Sequence, residues 1–370
     1  MLIAAASGRA LAASARRGGF VPLVADAFGD QDTLAACAGH ARVDLMRRPV
    51  DGDGLIDALD RLTAGRDCAG IVCGSGFEDG AGLLARVAAR WPLLGNAPET
   101  VARLKDPLAF AALCRATDIR HPKTAVTPPP DAQDWLFKRM GGAGGWHVRA
   151  AQGAKPGRGV YFQRRAAGEP VSALLLGDGR RVMVLGFSAQ WAAPLPGRPF
   201  RYGGAVRPAP LANGVLRAMT AAIERLNAAV PLTGLASADF LVDGDAFHLL
   251  EVNPRPGASF DLFEPEGASL FALYVEACAG RLPARAPRYD GAMAGAIVYA
   301  ERAIVAAPAL DWPAWTADRP VAGSRIGVDA PLCSVFARAA TASEARLSVE
   351  RRCAHVQALL MAGESLAGAS

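Results

Sequence analysis

Asp239-Phe-Leu-Val-Asp243-Gly244-Asp245-Ala-Phe-His-Leu-Leu-Glu251-Val-Asn253-Pro-Arg255 is the stretch whose reading decides the fold. Two apolar-rich segments flank an Asp-Gly-Asp turn, which predicts a β-hairpin with strands over 235–242 and 246–252. Side chains alternate faces along a strand, so Glu251 and Asn253 share one face. A three-residue connection at 243–245 pairs position 239 with 249 and brings Asp239 onto that face, diagonal to Glu251. A two-residue connection would turn Asp239 to the opposite face. Two carboxylates and an amide oxygen are hard ligands suited to Mg²⁺ carried with a nucleotide. The plain alternative is a solvated surface hairpin. Leu249, Leu250 and Val252 argue against it, because a partly buried acidic pair needs a cation.

Of the 40 Lys and Arg residues only four are Lys: Lys105, Lys123, Lys138 and Lys155. Where this Arg-rich chain keeps a lysine, a compact ammonium on a flexible stem suits a nucleotide phosphate. Lys105 and Lys138 are the two taken as functional. Lys138 also ends a strand-like segment and precedes Gly141-Gly142-Ala-Gly144-Gly145, four glycines in five residues. Such a loop brings backbone N–H groups onto phosphate oxygens without side-chain clash. It is not a Walker A loop, since no Gly-Lys-Ser/Thr follows. Gln163-Arg164-Arg165-Ala-Ala-Gly168-Glu169-Pro-Val-Ser172 reads as strand, turn and strand.

Residues 1–98 alternate β and α elements. Strands are expected at 2–6, 20–25 and 71–73, with Ser7-Gly8 and Gly74-Ser75-Gly76-Phe-Glu78 after strand ends, where open parallel sheets bind ligands. A helix is expected from Pro98-Glu-Thr100 to about Thr117. Further strands are expected at 135–139, 161–165, 171–176 and 182–191, and helices over 211–229 and 269–279. Beyond Pro287, strands at 296–299 and 334–337 and a helix over 341–361 remain. The expected class is α/β, α+β overall. The expected domains are 1–98, 99–285 with a lid at about 120–170, and a C-terminal α+β extension at 286–370 of unassigned role.

The bulk numbers exclude more than they establish. Hydrophobic residues make up 51% and charged residues 20%, as in a globular protein. No apolar run is long enough for a membrane span. The N-terminus lacks the basic start of a signal peptide and reads as a strand. Seven cysteines without a C-x-x-C, and five scattered histidines, point to reduced thiols in a cytoplasmic protein with no zinc site. A net charge of +5 without a basic run gives no support for nucleic-acid binding.

In their order these pieces resemble the ATP-grasp superfamily, the group that includes D-alanine–D-alanine ligase and biotin carboxylase. The resemblance covers roughly residues 1–285. It implies an N-terminal Rossmann-like pre-ATP-grasp domain, a lid, and a C-terminal nucleotide- and metal-binding part. On that resemblance Lys105 and Lys138 look like the two nucleotide lysines, and Asp239, Glu251 and Asn253 the ligands of Mg²⁺, two ions being expected and Mn²⁺ a substitute. Gly141, Gly142, Gly144, Gly145, Gln163, Arg164, Arg165 and Glu169 would complete the ATP site. Gln163 departs from the family's frequent acid, with Glu169 the nearest residue for the ribose. Arg255, then Arg207, would stabilise developing negative charge. Ser7, Gly8, Ser75 and Gly76 would form the substrate mouth. The phrases Ala6-Ser-Gly-Arg-Ala, Phe28-Gly-Asp-Gln-Asp-Thr33, Gly74-Ser-Gly-Phe-Glu78 and Glu251-Val-Asn-Pro-Arg-Pro are similar to carboligase-like proteins that include the tyramine–glutamate ligase of methanofuran biosynthesis. That implies small-molecule carboxylate and amine partners joined at the expense of ATP, with a homodimer as one open assembly. A kinase-like phosphotransferase and a non-catalytic nucleotide-binding regulator are the alternatives.

Overall fold

The computed structural model describes residues 1–46, 49–78 and 81–367. The N-terminal unit is a parallel sheet of β1 (Leu2–Ala4), β2 (Leu23–Asp26), β3 (Gly39–Arg42), β4 (Ile71–Cys73) and β5 (Leu93–Leu94) in the order β3-β2-β1-β4-β5. Helices α1 (Arg9–Arg17), α2 (Gln31–Ala36), α3 (Gly52–Thr63) and α4 (Ala81–Ala88) connect its strands. The strands are short and apolar because both faces are covered; Leu2, Ile3 and Ala4 are fully buried. The loops after β1 and β4, on adjacent strands, therefore sit side by side.

The helix expected over 98–117 is two helices, α5 (Pro98–Lys105) and α6 (Pro107–Ala116). Pro107 denies Asp106 a helical conformation. The Asp106 carboxylate instead caps α6, accepting from Leu108 N–H at 3.0 Å and Ala109 N–H at 2.7 Å. The break leaves Lys105 at the end of α5, free to turn from the helix axis.

The lid is a small antiparallel sheet, ordered β6-β9-β7-β8, of β6 (Thr124–Ala125), β7 (Trp135–Arg139), β8 (Arg149–Ala150) and β9 (Val160–Arg164). The main sheet has eight strands. It contains β10 (Glu169–Asp178), β11 (Val182–Ala192), β12 (Tyr202–Arg207), β13 (Thr233–Asp243), β14 (Ala246–Asn253), β15 (Ala292–Tyr299), β16 (Thr316–Ala317) and β17 (Pro331–Ala339). Their order is β14-β13-β10-β11-β12-β15-β17-β16. Helix α7 (Asn213–Ala229) covers one face, burying Val215, Met219, Ala222, Ile223 and Leu226 at helical spacing against Val171, Ala173, Phe240 and Leu249. Helix α8 (Leu270–Cys278) and the N-terminal unit cover the other.

The C-terminal extension completes this sheet. β15, β17 and β16 continue it beyond β12, and α9 (Ala342–Ala367) packs on β15 and β17. The loop before β17 reaches back to the N-terminal unit: Asp32 accepts from the backbone N–H groups of Asp318 and Arg319, and Gln31 N–H donates to Arg319 O. The joint is closed by Arg9, 8% exposed. Its guanidinium forks onto Asp261 at 2.5 and 2.7 Å and reaches Asp318 at 3.0 Å. No helix among the described residues is long and apolar enough to cross a membrane.

Candidate active site

The hairpin is built differently from the sequence expectation. The connection between β13 and β14 holds two residues, Gly244 and Asp245. Asp239 would then face away, but the register shifts by one between Asp239 and Phe240, where Leu250 is the extra residue on β14. This β-bulge reverses the parity of β14. Leu249 before it and Val252 after it both enter the core under α7. Asp239 therefore lies directly opposite Glu251, not diagonal to it.

The three oxygen-bearing side chains converge. Asn253 Nδ2 donates to Asp239 Oδ2 at 2.9 Å, which leaves Asn253 Oδ1 turned toward Glu251. Ser172, on the neighbouring β10, donates its hydroxyl to Asp239 Oδ1 at 2.6 Å. The Lys105 ammonium lies 3.0 Å from Glu251 Oε2 and 2.5 Å from Asn253 Oδ1. Those two oxygens thus already face one cation-sized place. Burial and the Glu251 charge push the Asp239 carboxyl up. Burial would push Glu251 up too, but Lys105 and Lys138 outweigh it and hold it low. An acidic pair in which one member is short of positive charge fits a divalent cation. Among the described residues no group of three or more His, Cys, Asp or Glu could hold a metal ion, so a third protein ligand beside Asp239 and Glu251 would have to be the amide oxygen of Asn253.

A cleft opens from this face toward the lid, lined by Lys105, Phe110, His121, Gly141, Tyr161 and Gln163 among others. Lys138, in β7, donates to Gln163 Oε1 at 2.7 Å, across the strand pair β7–β9. Burial pushes its ammonium down, against the pull of Glu251. His121 Nδ1 lies 2.8 Å from Leu249 O, so it carries the proton and leaves Nε2 as acceptor. Gln163 Nε2, 3.4 Å away, then donates to it. Lysine, glutamine and histidine form one directed chain. An acid at position 163 would instead pair with Lys138 and compete with a phosphate for it. Replacing Lys138 by Arg keeps the charge but not the compact donor. The expected result is a KM for ATP raised about tenfold or more; an unchanged KM in steady-state assays would show that Lys138 serves only the lid's packing.

The glycine loop is held in a shape that glycine permits. Gly141, Gly144 and Gly145 have φ of +65°, +65° and +71°. A Cβ on Gly145 would lie 1.8 Å from Phe200 O. Gly141 and Gly142 line the cleft, whereas Gly144 accepts from Tyr202 N–H at 2.9 Å and anchors the loop to the main sheet. The side chains of Arg164, Arg165 and Glu169 are exposed where β9 of the small sheet leads into β10 of the main one.

At the mouth, Ala6 N–H donates to Ser75 O at 2.8 Å, so Ser7-Gly8 and Ser75-Gly76 are neighbours. Gly8 N–H is taken by Asp26 Oδ2 at 2.9 Å and Gly76 N–H by Glu78 Oε2 at 2.7 Å. Ser7 is exposed, its hydroxyl 3.3 Å from Asp318 Oδ1. Arg255, two residues past Asn253, pairs through Nε with Glu78 Oε1 at 2.6 Å and ties the end of β14 to this mouth. Arg207 is not brought to the site. It is on β12, four strands from β14 and so roughly 19 Å across the sheet. It donates to Leu262 O and Gly291 O and lies over the Tyr289 ring. Ser172, Glu78 and His121 were not singled out from the sequence for the contacts they make here. Only Glu78, at the end of Gly74-Ser-Gly-Phe-Glu78, carried a signal.

A family model for an ATP-grasp domain matches residues 107–259, which include Lys138, the glycine loop and the Asp239–Glu251–Asn253 face but not Lys105. No match was found among curated protein sequences. Among solved structures, biotin carboxylase from Campylobacter jejuni in complex with β,γ-ATP is similar with a TM-score of 0.73 at 14% identity, over 93% of this chain and 88% of that one. N5-carboxyaminoimidazole ribonucleotide synthetase from Thermus thermophilus has a TM-score of 0.70 at 16% identity, over 95% and 97%. The biotin carboxylase domain of 2-oxoglutarate carboxylase from Hydrogenobacter thermophilus, a dimer solved with MgADP, ADP and bicarbonate, has a TM-score of 0.71 at 12% identity, over 92% and 86%. At these identities the likeness is one of fold. Residues 107–259 match an ATP-grasp domain, and the chain as a whole has the mixed α/β fold of these structures.

Proposed function

We propose that this protein is an ADP-forming carboxylate–amine ligase of the cytoplasm. The observation that carries the reading is the meeting of three parts: the Asp239–Glu251–Asn253 face, the two lysines, and a mouth tied to that face through Arg255 and Glu78. ATP is read into the cleft between lid and core. Mg²⁺, as two ions or with Mn²⁺ in its place, would be held by Asp239, Glu251 and Asn253 and supplies charge neutralisation at the phosphates.

In the first step an oxygen of the substrate carboxylate attacks the γ-phosphorus, and the bond to the bridging oxygen breaks to release ADP. In the second the amine nitrogen attacks the acyl carbon, the carbon–oxygen bond to phosphate breaks, and the amine loses a proton. Lys105 and Lys138 balance the phosphate charge, and Arg255 supplies the fixed donor for the charge that develops. The phrases shared with carboligase-like proteins point to an amino-acid carboxylate, glutamate first, joined to an amine such as tyramine in the making of a methanofuran-type cofactor.

ADP and phosphate release are to be measured with Mg²⁺-ATP across a panel of amino acids, each with and without amines. The expected outcome is equal ADP and phosphate appearing only with one acid–amine pair. ADP without free phosphate would replace the ligase by a kinase. Nucleotide binding without turnover on any pair would favour a regulator.

A further inference from the structure

We infer that His147 is a further phosphate-binding residue of the nucleotide site, its Nδ1–H donating to an oxygen of the phosphate chain. The inference deepens the reading of the cleft as a nucleotide site and rests on it.

His147 Nδ1 is buried and has no hydrogen-bond partner. A buried polar nitrogen left unpaired in a satisfied surrounding marks a place where a missing group binds. The ring lines the same cleft as Gly141, Gly142, Lys105 and Glu251. It lies on Gly142 so closely that a Cβ there would sit 2.3 Å from Nδ1. The glycine at 142 is thus the seat of the imidazole as well as a part of the loop. Lys138, Lys105, Arg139 and Glu251 all act on it electrostatically. Burial and the three cations push it down to about 4, so the ring is neutral at pH 7 and offers one N–H.

The polarity of the bond follows from the neighbours. Both lysines already have other partners: Lys138 donates to Gln163, and Lys105 to Glu251 and Asn253. The group still to arrive among these cations is anionic, and a phosphate oxygen only accepts. Nδ1 must therefore be the donor. The adjacent residue fixes the ring's approach. Trp146 is held under the Arg198 guanidinium at 4.6 Å and edge-on to Tyr299 at 5.8 Å. With Gly144 pinned to Tyr202, residues 144–146 cannot swing without breaking contacts to the main sheet.

The test is calorimetric titration of the full chain with the non-hydrolysable analogue Mg²⁺·AMP-PNP, and separately with adenosine. His147→Phe keeps the ring's volume without the N–H, and its affinity for the analogue should fall about tenfold or more. His147→Asn places an amide near Nδ1 and should recover most of the loss. Adenosine should bind all three proteins alike. Analogue binding by His147→Phe within twofold of the original overturns the inference, and so does an equal loss for adenosine, which would mean a packing role. If the unsubstituted protein fails to bind the analogue, the nucleotide reading falls and takes this inference with it. Should His147→Phe not fold, His147→Asn set against His147→Leu makes the same comparison.

Discussion

Glu251→Gln is expected to lower kcat by about 10³-fold or more while leaving the fold intact. The substitution keeps the side chain's shape and one oxygen but removes the charge opposite Asp239. A hard divalent cation bound by two carboxylates and an amide loses half its anionic ligand charge. The charge neutralisation that the cation would supply at the phosphates would fall with it. The fold should not suffer. Asp239 is pushed up by burial and then by the Glu251 charge, so removing that charge relieves a repulsion. Lys105 loses its ion pair with Glu251 but keeps Asn253 Oδ1 at 2.5 Å. Against that relief, Lys105 and Lys138 hold the Glu251 carboxyl low, so its charge is net stabilising and the melting temperature should fall while the fold persists. Turnover is to be followed with Mg²⁺ varied, beside thermal melts of both proteins. Near-normal turnover at ordinary Mg²⁺ would remove Glu251 from the metal site.

How far the sequence led is best seen at that same strand. The hairpin and the three oxygen-bearing side chains it carries were legible because apolar alternation and an Asp-Gly turn are local signals. The pairing was not. Parity counting assumes regular strands, and Leu250 is one residue too many. The signal existed, since Leu249-Leu250 breaks the alternation, but a bulge and a longer connection repair the face equally well on paper. Pro107 is a similar case, a local helix break read through as one helix. The lysine contrast is a different kind of signal: in a chain rich in Arg, Lys105 and Lys138 come together around Glu251. What could not be read was long range. Strands at 296–299 and 334–337 were visible, but not that they extend the sheet of the ATP-grasp core. Arg207 was expected, after Arg255, to stabilise developing charge; only strand order shows it is four strands away.

Arg9→Met should cost about 3 kcal/mol of stability at pH 7, the low end for stripping one partner from a buried ion pair, because Asp261 and Asp318 keep about a fifth of their side-chain surface exposed. The joint draws on all three parts of the chain: α1 of the N-terminal unit, Asp261 beside the main sheet, and Asp318 of the C-terminal extension. Methionine fills the stem's volume but leaves Asp261, Asp318 and Asp32 facing one another without a cation. The pH dependence gives the mechanism a second readout. Burial would raise the Asp318 carboxyl, but Arg9 outweighs it and holds it below the usual range. That stabilisation is present above about pH 4 and is lost as pH falls through the folded value. In the variant the same carboxyl is raised, so its penalty grows with pH. Asp30, pushed up to about 8 by burial and by Asp318, Asp32 and Asp26, loses the opposing charge of Arg9 and shifts the same way. The gap between the two proteins should thus be widest at neutral pH and narrow below about pH 4. Arg9→Lys should recover only part of it, since an ammonium cannot fork onto Asp261 while reaching Asp318. Urea unfolding at several pH values decides the matter: a gap that stays constant down to acid pH would assign Arg9 to packing and not to charge.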